Sequence, residues 1–195
     1  MERKTPLYQT HVDAGGKIVE FGGFLMPVQY PTGVLAEHMA VRQKAGLFDV
    51  SHMGELRLKG PDAVANVQKL ITADISAMQD GDIKYAMFCN DAGGILDDFI
   101  VYRCAADDYW LVVNAGNRDK DAAWVESHLF GDVDYRDEGD DWGQVALQGP
   151  KSGDILKKLC AEQYIPAKYY TFIDNVSLDL GSRTIHALVS QTGYT

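Results

Sequence analysis

The stretch from residue 84 to residue 113 constrains the fold most, because it contains three apolar-rich segments separated by two short turns. Strands are predicted at residues 84–89, 95–104 and 109–113, with the turn sequences "NDAGG" and "AADD" between them. Strands joined by turns this short pair with each other in an antiparallel fashion. The sequence therefore predicts a β-meander near the middle of the chain.

Apolar spacing predicts helices at residues 34–45, 61–71 and 118–128, and strands at residues 47–50 and 55–59. The first helix is expected to end at Gly46, a residue type that is common just beyond helix ends. In the second strand polar Glu55 and Arg57 alternate with Leu56 and Leu58. This alternation predicts one face in solvent and one face in the core.

A strand followed by Gly-Pro and then by a helix occurs twice, around Gly60-Pro61 and around Gly149-Pro150. The second copy has a strand at residues 145–147 and a helix with Ile155, Leu156 and Leu159 on its apolar side. This recurrence suggests an internal structural repeat, although Gly-Pro before a helix also arises by chance. The acidic residues 132–143 between the copies are interpreted as a solvated connector, and two further strands are expected after residue 171.

The net charge of −10 argues against nucleic acid or an anionic membrane as partner, because both require a basic face. The three cysteines are odd in number and widely spaced, so they indicate neither a disulfide framework nor a zinc site, and the five histidines show no ligand spacing. No metal is therefore expected. No signal, transit or membrane-spanning segment is recognisable, which favours a cytoplasmic location.

Two adjacent aspartates, Asp97 and Asp98, stand in the second meander strand within the sequence "GGILDDFIVY". Successive side chains of a strand point to opposite faces, so these carboxylates cannot share one proton and must have separate roles. The residues alone leave two interpretations open. Either the carboxylates bind free backbone N–H groups of the "NDAGG" turn, or one of them forms the floor of an apolar, aromatic-lined ligand site.

Several motifs together resemble the T protein of the glycine cleavage system, an aminomethyltransferase family. They occur in order from the first residues to the last: "TPLYQTH", "MPVQY", "AVRQKAGLFDVSHMGE", "GGILDDFIVY", "VVNAGNRDKD", "ALQGP" and "SQTGYT". The resemblance implies an α+β fold with antiparallel sheets flanked by helices, in two subdomains. The first would comprise residues 1–50 plus 141–195, and the second, with the meander, residues 51–140.

By this resemblance, the chain moves a one-carbon unit from the aminomethyl-lipoyl arm of the H protein to tetrahydrofolate, with release of ammonia. The co-substrate is then tetrahydrofolate and the protein partner is the H protein. Asp98 matches the family's carboxylate near the reacting folate nitrogens, where an electrostatic role and a general-base role both fit, and Asp97 becomes structural. The implied folate-binding residues are Met53, Tyr85, Ile100, Tyr102, Asn114, Tyr170 and Tyr194. His52 is interpreted as a hydrogen-bonded structural histidine.

The chain departs from the family pattern at Phe24, where tryptophan is common, and at its last residue. Family members continue beyond "TGYT" into further folate-contacting segments and a C-terminal barrel domain, so the resemblance covers only the N-terminal part. Losing those parts would expose apolar surface and remove part of the pocket wall. We therefore expect weak folate binding and little or no transferase activity from these 195 residues alone.

Two alternatives remain from the sequence. One is another folate-dependent enzyme on the same scaffold, such as a demethylase. The other is a non-catalytic folate-binding module of the iron–sulfur-cluster assembly type, whose characteristic cysteine motif "KGCYxGQE" is absent here. The aspartate at position 98 and the intact "FDVSHMGE" sequence favour the transferase.

Overall fold

A computed structural model describes residues 2–193, which form twelve strands and five helices. The helices are α1 (Tyr8–Asp13), α2 (Val34–Gln43), α3 (Ala63–Leu70), α4 (Arg118–Ser127) and α5 (Ser152–Leu156). The strands are β1 (Arg3–Lys4), β2 (Ile18–Phe21), β3 (Phe24–Pro27), β4 (Gly46–Asp49), β5 (Gly54–Lys59), β6 (Ile83–Cys89), β7 (Ile95–Ala105), β8 (Asp108–Val113), β9 (Asp134–Asp137), β10 (Val145–Gln148), β11 (Thr171–Asp179) and β12 (Thr184–Gln191). Short 3-10 turns occur at Ala115–Asn117 and Glu162–Tyr164.

The largest sheet has five antiparallel strands in the order β6-β7-β8-β5-β9. Its first three strands are the predicted meander, which the structure confirms. The turn between β6 and β7 is stabilised by Asn90, whose Oδ1 accepts hydrogen bonds from Ala92 N and Gly94 N. The turn therefore does not use Asp97 or Asp98, and that interpretation of the aspartates was wrong.

Helices α3 and α4 lie against one face of this sheet and enclose the main core. The core contains the apolar side of α3 and the inward residues of the strands, among them Leu56, Val67, Phe88, Val101 and Leu111. Such a layer of helices on one sheet face is how an antiparallel sheet buries half of its side chains.

The two Gly-Pro units have the same local geometry. Gly60 and Gly149 both have positive φ angles, 130° and 112°, and each accepts a hydrogen bond from the N–H three residues later. A Cβ atom on Gly60 would lie 2.8 Å from Asp132 O, and one on Gly149 would lie 2.5 Å from Val41 O. Glycine is required at both positions by the backbone angle and by the close approach of a second segment.

The N-terminal strands form a separate small sheet in the order β1-β3-β2, which the sequence analysis did not predict. Helix α1 is tied to this region by His11, whose Nδ1 is 2.7 Å from Tyr30 Oη and whose Nε2 is 2.9 Å from Asp49 Oδ2. Thr5 Oγ1 donates to the same Asp49 oxygen at 2.6 Å. This buried polar network joins α1 to β4.

Strands β11 and β12 form an antiparallel hairpin, which confirms the two strands expected after residue 171. Its inner residues, Phe172 and Leu188, pack on the second face of the five-stranded sheet with Ile83 and Tyr102. The hairpin is also joined to β6 by the hydrogen bond from Ile83 N to Tyr170 O. It therefore covers one end of that face and leaves the other end open.

Among the described residues strands β4 and β10 pair with each other and with no further strand, and helix α2 contacts β4. The large apolar side chains of this region are exposed, most of all Leu35, which is 82% exposed. The others are Val34, Met39, Leu47, Phe48, Val145 and Ile155. These residues together form an exposed apolar surface, and the expectation that it results from the loss of further segments stays a prediction.

Two sequence predictions were wrong here. Helix α2 ends at Gln43, and Gly46 begins β4 instead of standing just beyond the helix. Glycine is needed there because a Cβ atom would lie 2.5 Å from Val41 Cγ2. The acidic segment 132–143 is not only a connector, since it contains edge strand β9. The division into subdomains near residues 50 and 140 stays a prediction.

Among residues 2–193 no helix is long and apolar enough to cross a membrane.

Candidate functional site

Strand register brings most of the predicted site residues to the second face of the five-stranded sheet. Tyr85 on β6 is opposite Ile100 on β7, and Ile100 is opposite Val112 on β8. Residues that are directly opposite in antiparallel strands share a face. Asp98 stands two positions before Ile100 and therefore lies on the same face.

Asp98 and Tyr85 form a hydrogen-bonded pair on this face. Tyr85 Oη donates to Asp98 Oδ2 at 2.5 Å, and both side chains are exposed. This hydrogen bond, with smaller contributions from nearby Tyr170 and Asp97, raises the pKa of Tyr85 above its usual range. The second carboxylate oxygen of Asp98 is left available to a molecule that approaches the sheet.

Asn114 follows β8 and connects the two aspartates. Its Nδ2 donates to Asp98 O at 2.7 Å and to Asp97 Oδ1 at 3.0 Å. Both amide hydrogens are therefore used within the protein, so the side chain presents its oxygen to a ligand. Asp97 itself is buried on the helix side, so the two adjacent aspartates lie on opposite faces, as strand alternation predicted.

Apolar side chains surround the open part of the face. Met53 and Ile100 are half-buried and pack against a cluster that contains Tyr102 and Phe172. Tyr102 is buried, and its hydroxyl donates to Ser190 Oγ at 3.3 Å. Tyr102 thus lies beneath the hairpin, which forms one wall of the open face, and it is not an exposed contact for a ligand.

Tyr170 lies at the start of the hairpin, beside β6, and is exposed. Its positive φ angle of 59° is uncommon for a residue with a side chain, and the two flanking backbone hydrogen bonds, to Gln191 and from Ile83, hold it there. The predicted site residue Tyr194 lies outside the described residues. The structure thus brings together the other seven, and their part in binding stays a prediction.

Glu55 shares this face, because it stands opposite Val112 in β5. Strand alternation predicted that Glu55 faces solvent, which was wrong, since only 5% of its surface is exposed. Burial raises the pKa of Glu55 to about 8, although Arg118 acts to lower it, and Oε2 has no hydrogen-bond partner among the described residues. A carboxyl that is protonated at neutral pH therefore lies in the same sheet face as the exposed carboxylate of Asp98.

A second buried carboxyl, Asp121 of α4, was also missed. It lies behind the face, in contact with Asp97, and burial followed by the interaction with Asp97 raises the pKa of Asp121 to about 8. The signal in the sequence was an aspartate on the inner side of an amphipathic helix, four residues before buried Val125.

His52 is buried between the rings of Phe21 and Phe24, at centroid distances of 5.7 and 6.3 Å. Burial lowers the pKa of His52, and its Nδ1 has no hydrogen-bond partner among the described residues. It is therefore a packed histidine instead of the hydrogen-bonded one that we expected. No group of three or more metal-ligating side chains is present within residues 2–193.

Two surface cavities lie apart from the Asp98 end of this face. One, of about 530 Å³, is next to the N-terminal strand, with Arg3, Phe24, Ser51 and Trp142 in its wall. The other, of about 350 Å³, lies over strands β5 and β9. Neither cavity is lined by any of the predicted site residues, most of which lie on the Asp98 face.

The observed architecture is that of a mixed α/β protein with several antiparallel sheets. Residues 7–195 match a family model described as the GCVT N-terminal domain. The chain belongs to this family, that of the glycine cleavage T protein, which confirms the family resemblance seen in its motifs.

Similar proteins carry the name of this enzyme class. The chain is 46% identical over 198 residues to an aminomethyltransferase of Desulfitobacterium hafniense, a match that covers 99% of this chain and 52% of the relative. It is 44% identical over 195 residues to an aminomethyltransferase of Bacillus licheniformis, with 100% and 52% covered. The chain therefore spans about half the length of these curated relatives.

A solved structure is similar as well. The crystal structure of glycine cleavage system aminomethyltransferase T from Bartonella henselae superimposes with a TM-score of 0.80 at 35% identity. The match covers 89% of this chain and 48% of that one. The fold described above is thus the fold of part of that protein.

Proposed function

We propose that the open sheet face around Asp98 binds tetrahydrofolate, and that the chain provides this part of an aminomethyltransferase of the glycine cleavage system. The observation that carries the proposal is the pairing of an exposed carboxylate, Asp98, with the aromatic and aliphatic surface of Tyr85 and Ile100. A flat ring with N–H donors stacks on such a surface and donates to such a carboxylate.

The reaction transfers the methylene carbon of the aminomethyl-lipoyl group, carried by the H protein, to two nitrogens of tetrahydrofolate. Two new carbon–nitrogen bonds form, and the bonds from carbon to the lipoyl sulfur and to the amine break. The two hydrogens that the folate nitrogens lose end on the sulfur and on ammonia, so the transfer needs no oxidant or reductant. Positioning of the two reactants supplies a large part of the rate.

Asp98 stabilises this reaction by its charge. Positive charge develops on the carbon as ammonia leaves, and a fixed carboxylate near that carbon lowers the energy of the transition state. The Tyr85 hydroxyl orients the carboxylate through its 2.5 Å hydrogen bond. Removing one such electrostatic partner typically costs about 100-fold to 1,000-fold in rate.

The identity of 46% to an aminomethyltransferase along nearly the whole chain favours this function over the demethylase and the iron–sulfur assembly alternatives. The H protein is the expected partner and the cytoplasm the expected location. Because the chain spans about half of its relatives, full turnover is expected only together with the segment that those relatives have in addition.

Isothermal titration with tetrahydrofolate under anaerobic conditions tests the proposal. We expect binding by the wild-type chain, about tenfold weaker binding by Asp98→Asn, and unchanged binding by Asp107→Asn. Asp107 is exposed in the turn at the opposite end of β7, so it controls for the loss of one negative charge. Each lost charged hydrogen bond is worth about 1.5 kcal/mol or more, which corresponds to this tenfold change.

A chimera that joins this chain to the remaining part of the Desulfitobacterium hafniense relative supplies the second arm. If neither the chain nor the chimera binds tetrahydrofolate, the proposal is wrong. It is equally wrong if Asp98→Asn and Asp107→Asn bind as tightly as the wild type.

A further inference from the structure

Asp97 lies at the contact between the five-stranded sheet and helix α4, and two neighbouring asparagines direct three hydrogen-bond donors at it. Asn117 Nδ2 donates to Asp97 Oδ1 at 2.7 Å, and Asn114 Nδ2 donates to the same atom at 3.0 Å. Asn114 N lies 3.3 Å from Oδ2. Burial acts to raise the pKa of Asp97, but the interaction with Asp121 and these asparagine bonds outweigh it, so the pKa is lowered.

Asp121 approaches the same carboxylate from α4, and none of its surface is exposed. No N–H or O–H group of another described residue reaches either of its oxygens, and Asp97 is the charged neighbour that acts most strongly on its carboxyl. Two neighbouring carboxyl groups in a buried position are stable only when one of them holds a proton. Since Asp97 already accepts three hydrogen bonds, the proton belongs on Asp121.

The positive charge nearby is too distant to replace that proton. Lys120 Nζ lies 3.9 Å from Asp121 Oδ1, beyond hydrogen-bond distance, and it donates instead to Asn117 Oδ1 at 3.0 Å and to Leu96 O. Lys120 and Asp97 are the charged groups that act on Asp121 among the described residues. A second negative charge at this position would therefore be buried without a partner, which is costly.

We infer that Asp121 and Asp97 share one proton and together act as a positioning pair for the ligand face, because Asp97 holds Asn114 and Asn114 holds the backbone of Asp98. Asn114 reaches Asp98 O at 2.7 Å, so the contact runs from inside the sheet–helix layer to the exposed carboxylate. The inference rests on the proposed function for its ligand, tetrahydrofolate. It makes Asp121 a positioning residue and not a catalytic one.

Loss of the shared proton should disturb this arrangement. Burial and Asp97 place the pKa of Asp121 at about 8, so about nine-tenths of the pairs lose the proton at pH 9. If only the protonated pair holds Asn114 correctly, the apparent dissociation constant for tetrahydrofolate is about tenfold higher at pH 9 than at pH 7.

The first arm of the test needs no ligand. The side-chain amide signals of Asn114 and Asn117 are followed by 15N NMR from pH 6 to pH 10 in the wild-type chain, in Asp121→Asn and in Asp119→Asn. An asparagine at position 121 keeps a donor toward Asp97 but has no proton to lose. Asp119 is exposed on the same helix and is the matched control.

We expect these amide signals to shift with a midpoint near pH 8 in the wild type and in Asp119→Asn, and to remain constant in Asp121→Asn. Signals that stay constant in the wild type overturn the inference, and so does a transition that survives in Asp121→Asn. If the Asp121→Asn chain does not fold, the wild-type titration, with the carboxyl carbon of Asp121 observed directly, decides alone.

The second arm measures the dissociation constant for tetrahydrofolate at pH 7 and pH 9 in chains that all carry Glu55→Gln, because Glu55 lies on the same face and its pKa is also about 8. The tenfold weakening is expected in this background and with Asp119→Asn added, whereas the chain with Asp121→Asn added should bind equally at both values. A merely structural Asp121 would lower stability without changing this pH profile, and an unchanged profile in the variant contradicts the inference. Absence of binding by every chain at both pH values counts against the proposed function, while the NMR arm still decides on the pair.

Discussion

Glu55 makes the free energy of unfolding depend on pH in a calculable direction. In the folded protein burial raises the pKa of Glu55 from its ordinary value of 4.5 to about 8. Between these values the folded chain holds a proton that the unfolded chain has released, so stability falls as the pH rises. From pH 6 to pH 8 this loss amounts to about 2 kcal/mol, because each pH unit is worth at most about 1.4 kcal/mol.

Glu55→Gln removes this contribution, since the amide is neutral at every pH and has nearly the same shape. Urea unfolding, followed by circular dichroism at pH 6 and pH 8, measures the difference. We expect the wild type to lose about 2 kcal/mol more than Glu55→Gln over this interval. The raised pKa of Asp121 also makes the free energy of unfolding fall as the pH rises, so part of the pH dependence remains in Glu55→Gln.

Glu126→Gln is the control, because Glu126 is an exposed glutamate on α4. It should show the wild-type pH dependence. If Glu55→Gln and the wild type differ by the same free energy at pH 6 and at pH 8, then Glu55 does not hold a proton in the folded chain. The reasoning from its burial would then be refuted.

Two further predictions concern stability. Asn66→Ala should lower the free energy of unfolding by about 3 kcal/mol, because Asn66 is fully buried and hydrogen-bonds both the N–H and the carbonyl of Phe130. A loss of less than about 1 kcal/mol, measured by urea unfolding, would contradict this. Gly149→Ala should lower the free energy of unfolding by more than about 2 kcal/mol, since the positive φ angle and the 2.5 Å approach to Val41 O leave no room for a side chain. The control Gly153→Ala, in α5 with open space around it, should be neutral or slightly stabilising. Equal thermal midpoints of the two variants would show that the Gly-Pro turn does not require glycine.

The parts of the fold that depend on local pattern were predictable from the sequence. The meander follows from alternating apolar residues and two turn sequences, and helix α3 follows from Gly60-Pro61 and the apolar spacing after it. Strand β9 was not predictable in this way, because its sequence "DYRD" is charged and has no apolar alternation. An edge strand with one neighbour tolerates such residues, and its pairing with β5 is a contact between distant parts of the chain.

The candidate site was likewise predictable only where local sequence pattern determines it. Strand alternation alone separates Asp97 from Asp98, and the family resemblance then predicts that Asp98 is the one facing the ligand. The alternation says nothing about Asp121 or Glu55, because their burial depends on elements that pack against the sheet from elsewhere in the chain. For Glu55 the alternation was misleading, since the hairpin of β11 and β12 and the half-buried Trp142 cover part of the face that a single strand presents as polar.

The most direct test of the central claim is a map of the tetrahydrofolate site on the 15N-labelled chain. We predict that added tetrahydrofolate shifts the backbone signals of Tyr85, Asp98, Ile100 and Asn114, and that these shifts are several-fold smaller in Asp98→Asn at a ligand concentration near the wild-type dissociation constant. Shifts confined to the 530 Å³ cavity beside Phe24, with the Asp98 face unchanged, would contradict it.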